Sequence, residues 1–145
     1  MKCIGLDLGT KTLGVSISDS NAVIALPLTT IRHNENHDEL IPELSKIIEE
    51  NNIEKIILGL PKNMNNTIGE RALKTLEFKE KLENTFKLEV IMQDERLSTV
   101  SAESFLIKND ISRKKRKQVI DKMASQVILQ SFLDKYNSEK ERGEL

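Results

Sequence analysis

The order of the hydrophobic periodicities is the feature that most constrains how this sequence can fold. Three segments with strand character come first, at Lys2–Leu8, Leu13–Ser18 and Val23–Ile31, and the first two are separated by a short turn. Pro27 in the third segment cannot donate a hydrogen bond to a neighbouring strand, which places that strand at a sheet edge. The chain therefore begins with a β-hairpin followed by an edge strand.

Helical and strand patterns alternate after this point. Apolar residues between Leu40 and Ile48 recur at helical spacing, so we predict a helix that is capped by Asp38 and ends at Asn51 and Asn52. This order of elements predicts an α/β domain with a mixed five-stranded sheet, three antiparallel strands followed by two parallel ones, flanked by helices. The remaining predicted elements are strands at Lys55–Leu58 and Leu88–Met92, helices at about 67–82 and from Ser98 or Thr99 to Leu106, and a last helix after Ser112.

Length and composition narrow the classes of protein that are possible. A chain of 145 residues with 38% hydrophobic residues is expected to form one domain, over residues 1–136, followed by a charged, flexible tail at 137–145. It has no apolar segment long enough for a signal peptide or a bilayer span, so we expect a cytoplasmic protein without membrane contact. One cysteine and two histidines provide no zinc-ligand spacing, so any metal would be bound by oxygen.

The first acidic candidate is Asp7, because strand alternation places it on an unusual face. Bulky apolar side chains occupy the other face of its strand, whereas its own face carries small ones. The second predicted strand repeats this asymmetry. We therefore expect a shallow floor of small residues around Asp7, formed by Cys3, Gly5, Gly9, Gly14, Ser16 and Ser18.

Two further acids can reach that floor. Asp121 lies at the border of the apolar stripe of the last helix, where the small Ala124 and Ser125 would allow close approach to the sheet. Glu95 ends the last strand, and ligands of α/β sheets gather at such strand ends. Two carboxylates about 4 Å apart repel by roughly 4 kcal/mol at an effective dielectric of 20. Convergence of the three acids therefore predicts a divalent cation, Mg²⁺ or Mn²⁺, and hydrolysis of a phosphodiester.

Positive charge is concentrated at one place, although the formal net charge is −1. Five consecutive basic residues precede Asp121, and positive charge at a helix start opposes the helix dipole, which favours a phosphate-binding role over a merely solvated helix end. Lys11 lies in the first turn near the expected substrate, and Arg71 and Arg96 are candidates for phosphate contact or for surface ion pairs. The basic run is Arg113, Lys114, Lys115, Arg116 and Lys117.

Four motifs together resemble one family, the pre-16S ribosomal RNA nuclease or Holliday junction resolvase-like family, also called YqgF. The resemblance covers the chain from about Lys2 to Leu133 in order. It rests on Gly5-Leu6-Asp7-Leu8-Gly9-Thr10-Lys11, on Gly59-Leu60-Pro61 with Asn63-Met64, Gly69 and Arg71-Ala72, on Asp94-Glu95-Arg96-Leu97-Ser98-Thr99, and on Ser112-Arg113-Lys114-Lys115-Arg116-Lys117 running to Asp121-Lys122.

The resemblance implies a ribonuclease H-like fold and a nuclease that matures the 5′ end of small-subunit ribosomal RNA. It also implies catalysis by Asp7, Glu95 and Asp121, as ligands of a divalent metal. The chain departs from the family pattern mildly, and no departure falls on these three acids. The departures are Lys62, Asn66, Gln93, Ser98 and Ser125.

Other functions remain open on the sequence alone. A four-way DNA junction is the main alternative substrate to structured precursor RNA, and ribosomal particles are possible partners of a monomer or weak homodimer. A phosphate-binding lobe of the actin and sugar-kinase superfamily also carries an Asp-x-Gly-Thr turn, but that fold needs two lobes. A third alternative is an inert nucleic-acid-binding module. The two histidines, His33 and His37, have no predicted role.

Overall fold

The structure is a computed structural model that describes residues 1–60, 69–94 and 113–143, with the backbone alone for residues 94 and 113–122. Within these ranges the chain forms one five-stranded sheet and three α-helices. The strands are β1 (Cys3–Leu8), β2 (Thr12–Ser18), β3 (Ala25–Arg32), β4 (Lys55–Leu60) and β5 (Glu89–Asp94), and the helices are α1 (Ile41–Glu50), α2 (Glu70–Phe86) and α3 (Arg113–Glu141).

The sheet has the mixed topology that the sequence predicts. Its strand order is β3-β2-β1-β4-β5, with antiparallel pairing from β1 to β3 and parallel pairing of β1 with β4 and of β4 with β5. The strand that contains Pro27 lies at the edge of the sheet, where proline is tolerated, and its pairing with β2 has a register shift beside Pro27. The predicted fold class is confirmed.

The carboxyl ends of three strands lie along the same side of the sheet. Leu6 of β1 pairs with Leu58 of β4, and Leu58 pairs in turn with Met92 of β5, so the three residues form one row. Asp7 is one residue beyond this row, and Asp94 is two residues beyond it. The end of β1 and the end of β5 therefore face the same edge, separated by β4 alone.

Each face of the sheet has its own core. The face with the bulky residues of β1 and β2 packs against α1 and α2, through buried side chains such as Leu44 and Phe78. The other face packs against α3, whose Ile128, Leu129 and Leu133 are buried with Cys3. Among the elements that the structure describes, α3 alone covers the face with the small residues, so its position affects what can reach them. None of the helices in the described ranges is long and apolar enough to cross a membrane.

Helix boundaries differ from the sequence-based ones for local reasons. A 3₁₀ turn at His37–Leu40 precedes α1, and its cap is Asn36, whose Oδ1 accepts a hydrogen bond of 3.0 Å from the N–H of Asp38. The prediction of Asp38 as the cap is therefore wrong, since the extended backbone that a cap requires occurs at Asn36.

The two longer helices also extend beyond their expected ends. α2 begins at Glu70 and continues to Phe86, where Lys87 adopts a left-handed conformation with φ of 57° and ends it. α3 continues to Glu141, and Asn137 donates a hydrogen bond of 2.8 Å to the carbonyl of Ala22. The helix thus passes the expected domain end at residue 136. The helix predicted at 98–106 lies outside the described residues.

Candidate functional site

α3 lies directly on the backbone of β1 at Gly5. A Cβ built at this glycine would be 2.6 Å from Cβ of Leu129 and 2.9 Å from the carbonyl oxygen of Ser125. Carbon atoms in contact are normally 3.5–4.0 Å apart. Any side chain at position 5 would therefore push the helix away from the sheet, and glycine is what allows this approach.

A buried hydrogen bond fixes the helix at the same level. Oγ of Ser16 in β2 lies 2.6 Å from Oγ of Ser125, and both serines are fully buried. A third serine, Ser18, accepts a hydrogen bond of 2.8 Å from the N–H of Cys3. Of the predicted floor of small residues, Cys3, Gly5 and Ser16 therefore lie beneath α3.

The direction of α3 follows from its contacts along the sheet. Asn137, near its carboxyl end, binds Ala22 before β3, whereas Ser125 lies over Gly5. Further toward its amino end, Met123 lines a groove with Thr30 of β3. The helix therefore runs antiparallel to β1, and its amino-terminal half approaches the carboxyl end of that strand.

Asp7 occupies the level toward which α3 leads. Its side chain is half-buried, and it pairs with Gly14, the residue that also pairs with Thr30. From Gly5 to Asp7 the strand advances by about 7 Å. From Ser125 to position 121 the helix advances by about 6 Å in the same direction. The backbone at position 121 is thus carried toward the level of Asp7.

The other predicted acids can be followed only in part. Asp121 lies within α3, but its side chain is outside what the structure describes. Glu95 is also outside the described residues, directly after Asp94, the last residue of β5. Among the described side chains, no group of three or more histidine, cysteine, aspartate or glutamate residues could hold a metal ion. Of the three predicted ligands, Asp7 alone is among the described side chains.

The basic candidates fall into three groups. Lys11 is exposed in the turn between β1 and β2, while Arg71 of α2 donates a hydrogen bond of 3.2 Å from Nη2 to the carbonyl of Leu8. The run at 113–117 forms the start of α3, whose first turn contains no acidic residue. Arg96 lies outside the described residues. The backbone therefore places the basic run at the start of a helix, where positive charge opposes the helix dipole.

Burial shifts the titration of two side chains: Cys3, at the opposite, amino end of β1, and His37, in the 3₁₀ turn before α1. Burial raises the pKa of the Cys3 thiol to about 11, with Lys55 acting in the opposite direction. A thiol with so high a pKa is a packing group rather than a nucleophile. Burial also lowers the pKa of His37, and the nearby His33 and Lys81 lower it further.

One residue near the site was missed by the sequence analysis. His33 is 5% exposed, and its Nε2 lies 3.1 Å from the carbonyl oxygen of Gly9 in the β1–β2 turn. The sequence feature that could have identified His33 is its position directly after β3, because the last residue of β3, Arg32, pairs with Thr12 beside that turn. The hairpin register alone would have placed His33 against the turn.

Comparison with known sequences gives a consistent result. The model of the family described as "RuvX: Holliday junction resolvase" matches residues 1–135. A relative from Bacillus mycoides, named "Putative pre-16S rRNA nuclease", is 54% identical over 135 residues, which cover 92% of this chain and 98% of the relative. The match therefore extends over nearly the whole length of both proteins.

Solved structures with low sequence identity share the fold. The RuvC protein of Thermus thermophilus in complex with a Holliday junction substrate superimposes with a TM-score of 0.55 at 11% identity, over 88% of this chain and 91% of that one. The Holliday junction resolvase of fowlpox virus gives a TM-score of 0.52 at 13% identity, over 93% of this chain and 99% of the resolvase. The predicted ribonuclease H-like fold is confirmed.

Proposed function

This chain belongs to the RuvX family of Holliday junction resolvases, and from that premise we propose that it is a metal-dependent endonuclease that processes the 5′ end of precursor 16S ribosomal RNA. The name of the Bacillus mycoides relative, aligned over 98% of its length, supports this substrate. The structural observation that carries the proposal is the contact of α3 with Gly5, because it directs the helix toward Asp7.

The proposed catalytic residues are Asp7, Glu95 and Asp121, which are also the proposed metal ligands. Three features support this choice: Asp7 is the penultimate residue of β1, Glu95 is the next residue in sequence after β5, whose end lies at the same edge of the sheet, and position 121 is one helical turn before Ser125. Carboxylate oxygens are the ligands that Mg²⁺ and Mn²⁺ prefer. Like charges brought together here need such a cation to offset their repulsion.

The residues of the chain would hold the metal and the substrate in fixed positions. A divalent cation, when bound, supplies an activated water and stabilises charge on the attacking and leaving oxygens of a phosphodiester. Asp7 contributes a ligand from a rigid central strand, and α3 contributes another from a helix fixed by the Ser16–Ser125 bond. Ligands on such elements keep their geometry better than ligands on loops.

The proposed nucleic-acid interface surrounds this edge. The run from Arg113 to Lys117 ends four residues before Asp121, so it lies about 6–12 Å from it along the helix. Lys11 is exposed in the turn that follows Asp7, and Arg96 follows Glu95 in sequence. For Arg71, the bond to the carbonyl of Leu8 favours a role in holding the end of β1. Contacts of this kind bind phosphates without reading base sequence.

The experiment compares two substrates with one set of variants. A precursor 16S RNA fragment and a four-way DNA junction are incubated with the protein and either Mg²⁺ or Mn²⁺. We expect metal-dependent cleavage of the RNA, abolished in Asp7→Asn, Glu95→Gln and Asp121→Asn with an unchanged circular dichroism spectrum. Asp134→Asn is the matched control, because Asp134 is an exposed residue of the same helix as Asp121, with a hydrogen bond only to the side chain of Gln130 among the described contacts.

Each alternative function has its own outcome in this experiment. Cleavage of the junction alone would replace the RNA assignment by that of a resolvase, the second candidate, which the family description favours. Salt-sensitive binding without cleavage, unchanged by Asp7→Asn, would indicate an inert binding module. Tight binding of adenosine triphosphate would instead revive the kinase-lobe interpretation.

The salt dependence of binding tests the basic run separately. If three to five phosphates are neutralised, the logarithm of the binding constant falls with a slope of about −0.7 to −0.9 per contact against the logarithm of salt concentration. Replacing Lys114, Lys115 and Lys117 by glutamine should flatten that slope by roughly two to three units. A triple variant at the exposed Lys46, Lys135 and Lys140 makes the same change in charge and is the control. Equal slopes for both triple variants would mean that the run faces away from the nucleic acid.

The wider setting is part of the same proposal. We propose that residues 1–136 form the nuclease domain, which the family match to residue 135 supports, and that the charged residues after it are not needed for cleavage. We also propose that the protein acts in the cytoplasm as a monomer or weak homodimer. Its substrate there is free precursor RNA or a ribosomal particle.

A further inference from the structure

The turn between β1 and β2, which follows Asp7, is held from outside by His33. Within the turn, the N–H of Gly9 donates a hydrogen bond of 2.8 Å to the carbonyl of Thr12. The N–H of His33 donates one of 2.9 Å to the carbonyl of Lys11, and its Nε2 lies 3.1 Å from the carbonyl oxygen of Gly9. One buried residue therefore binds the turn at two carbonyls.

The second ring nitrogen defines the state of this histidine. The N–H of Glu35 donates a hydrogen bond of 3.0 Å to Nδ1 of His33, so Nδ1 must carry a lone pair. The hydrogen of the neutral ring is then on Nε2, which donates to the carbonyl of Gly9. Both ring nitrogens are used, and both partners are backbone groups of loops.

Further contacts fix the plane of the ring. His37 packs edge-on against His33 with ring centroids 5.8 Å apart, and Phe78 of α2 packs against His37 at 5.2 Å. Phe78 is fully buried in the core beneath the sheet. The imidazole of His33 is thus connected through two rings to the rigid part of the domain, and it can hold the turn in place rather than follow its motion.

Arg71 binds the same segment from another element. Arg71 binds the carbonyl of Leu8, and His33 binds the carbonyl of the next residue, Gly9. The two residues after Asp7 are therefore both anchored by side chains from outside the hairpin. A carboxylate at the end of a strand keeps its direction only if the backbone after it is fixed. Displacement of a catalytic group by 1 Å can lower a rate by about 100-fold.

We propose that His33 is a positioning residue for the metal site: through its Nε2–H bond to the carbonyl of Gly9 it holds the end of β1 and thereby aims the Asp7 carboxylate. This inference rests on the proposed role of Asp7 as a metal ligand. Groups that orient metal ligands from behind typically alter metal affinity or activity by 10- to 100-fold when they are removed, and we expect an effect of that size.

Two substitutions test the roles of the two ring nitrogens separately. In His33→Gln the side-chain amide nitrogen is as many bonds from Cβ as Nε2 is, so it can still donate to the carbonyl of Gly9. In His33→Asn the side-chain oxygen replaces Nδ1 and can still accept from the N–H of Glu35, but nothing reaches Gly9. Each variant keeps one bond and loses the other, so each is the control for the other.

The test measures the turn, the metal and the reaction in both variants. Amide hydrogen exchange should show the Gly9 amide protected in His33→Gln and exposed in His33→Asn, with the reverse pattern at the Glu35 amide. The dissociation constant for Mn²⁺ and the cleavage rate of precursor RNA should stay within about threefold of the wild-type values in His33→Gln. Both should worsen by 10- to 100-fold in His33→Asn.

Two results would overturn the proposal. One is wild-type Mn²⁺ affinity and cleavage rate in His33→Asn while the Gly9 amide has lost its protection, since the bond would then be irrelevant to the site. The other is equal losses in both variants, which would reduce His33 to a packing residue. Failure of the proposed function can be distinguished from failure of this inference, because it would be seen as absence of metal-dependent cleavage in the wild-type protein. The exchange data would then still report whether His33 holds the turn, but the catalytic part of the inference would be wrong.

Discussion

Replacing Gly5 by alanine tests how closely α3 must approach the sheet. The added Cβ would meet Cβ of Leu129 at 2.6 Å and the carbonyl oxygen of Ser125 at 2.9 Å. Neither atom can move by rotation of a side chain, because one is fixed to the helix backbone and the other belongs to it. Relief of the contact requires the helix to move outward by roughly 1 Å, if normal carbon–carbon distances are to be restored.

The expected loss of stability has a clear sign. Insertion of a methyl group into a well-packed core costs about 1–3 kcal/mol. At about 3 °C per kcal/mol for a domain of this size, the melting temperature should fall by roughly 3–10 °C. Without a clash, the change from glycine to alanine at an unstrained position stabilises a protein by about 0.4–1 kcal/mol through the unfolded state. The sign of the change therefore reports directly on the contact.

The same displacement should reduce activity beyond its effect on folding. A helix pushed outward carries position 121 away from Asp7, and a 1 Å displacement of a catalytic group can cost about 100-fold in rate. The assay combines urea unfolding with cleavage of precursor RNA at a temperature at which the variant is fully folded. We expect a large loss of cleavage rate in a folded protein.

Leu129→Ala provides the control for this prediction. It removes the side chain beyond Cβ and costs about 2–5 kcal/mol by cavity formation, but it leaves the two atoms nearest to position 5, Cβ of residue 129 and the carbonyl oxygen of Ser125. The double variant with Gly5→Ala should therefore be no more stable than Leu129→Ala. Wild-type stability and cleavage rate in Gly5→Ala would refute the argument that glycine is required for the approach of α3.

Three further predictions follow from groups that are buried or half-buried. Ser16→Ala and Ser125→Ala each leave a buried hydroxyl without its partner and should each cost about 1–3 kcal/mol, while in a double-mutant cycle the double variant should cost less than their sum; full additivity would mean that the 2.6 Å bond contributes nothing. Because burial lowers the pKa of His37, the unfolded chain binds more protons than the folded one, and the free energy of unfolding should fall as the pH drops below about 6.5. His37→Gln should flatten that part of the curve of unfolding free energy against pH. An identical curve for the variant and the wild-type protein would contradict this. The Cys3 thiol, buried and with its pKa raised to about 11, should react with a thiol reagent at pH 8 only on unfolding, and reaction at the rate of a free thiol in the native protein would contradict its placement.

The fold could be predicted largely because hydrophobic periodicity records which face of each element is buried. Alternation in β1 and β2 separated the bulky face from the small-residue face, and Pro27 identified the edge strand. The exact helix caps were harder to predict from the sequence, because Asn36 and Asp38 are both good capping residues. Which of them has extended backbone depends on the loop that follows β3, and no local pattern specifies that conformation.

The site was predictable only to the extent that it depends on periodicity. The small-residue floor beneath α3 followed from residue size along two strands. The close approach of α3 to this floor was predicted from the small Ala124 and Ser125, whereas the level of position 121 relative to Asp7 depends on how this helix, which is distant in sequence, docks on the sheet. The ring of His33 binds the backbone carbonyl of Gly9 and accepts from the backbone N–H of Glu35, and a bond from a side chain to backbone leaves no complementary residue to find in the sequence.

A crystal grown with Mn²⁺ and examined by anomalous scattering tests the central claim most directly. The account predicts a manganese peak at the carboxyl end of β1, with carboxylate oxygens of Asp7, Glu95 and Asp121 around it at about 2.1 Å, and loss of the peak in Asp121→Asn. The absence of a peak at this edge in crystals of the wild-type protein, with the three carboxylates directed apart, would contradict it.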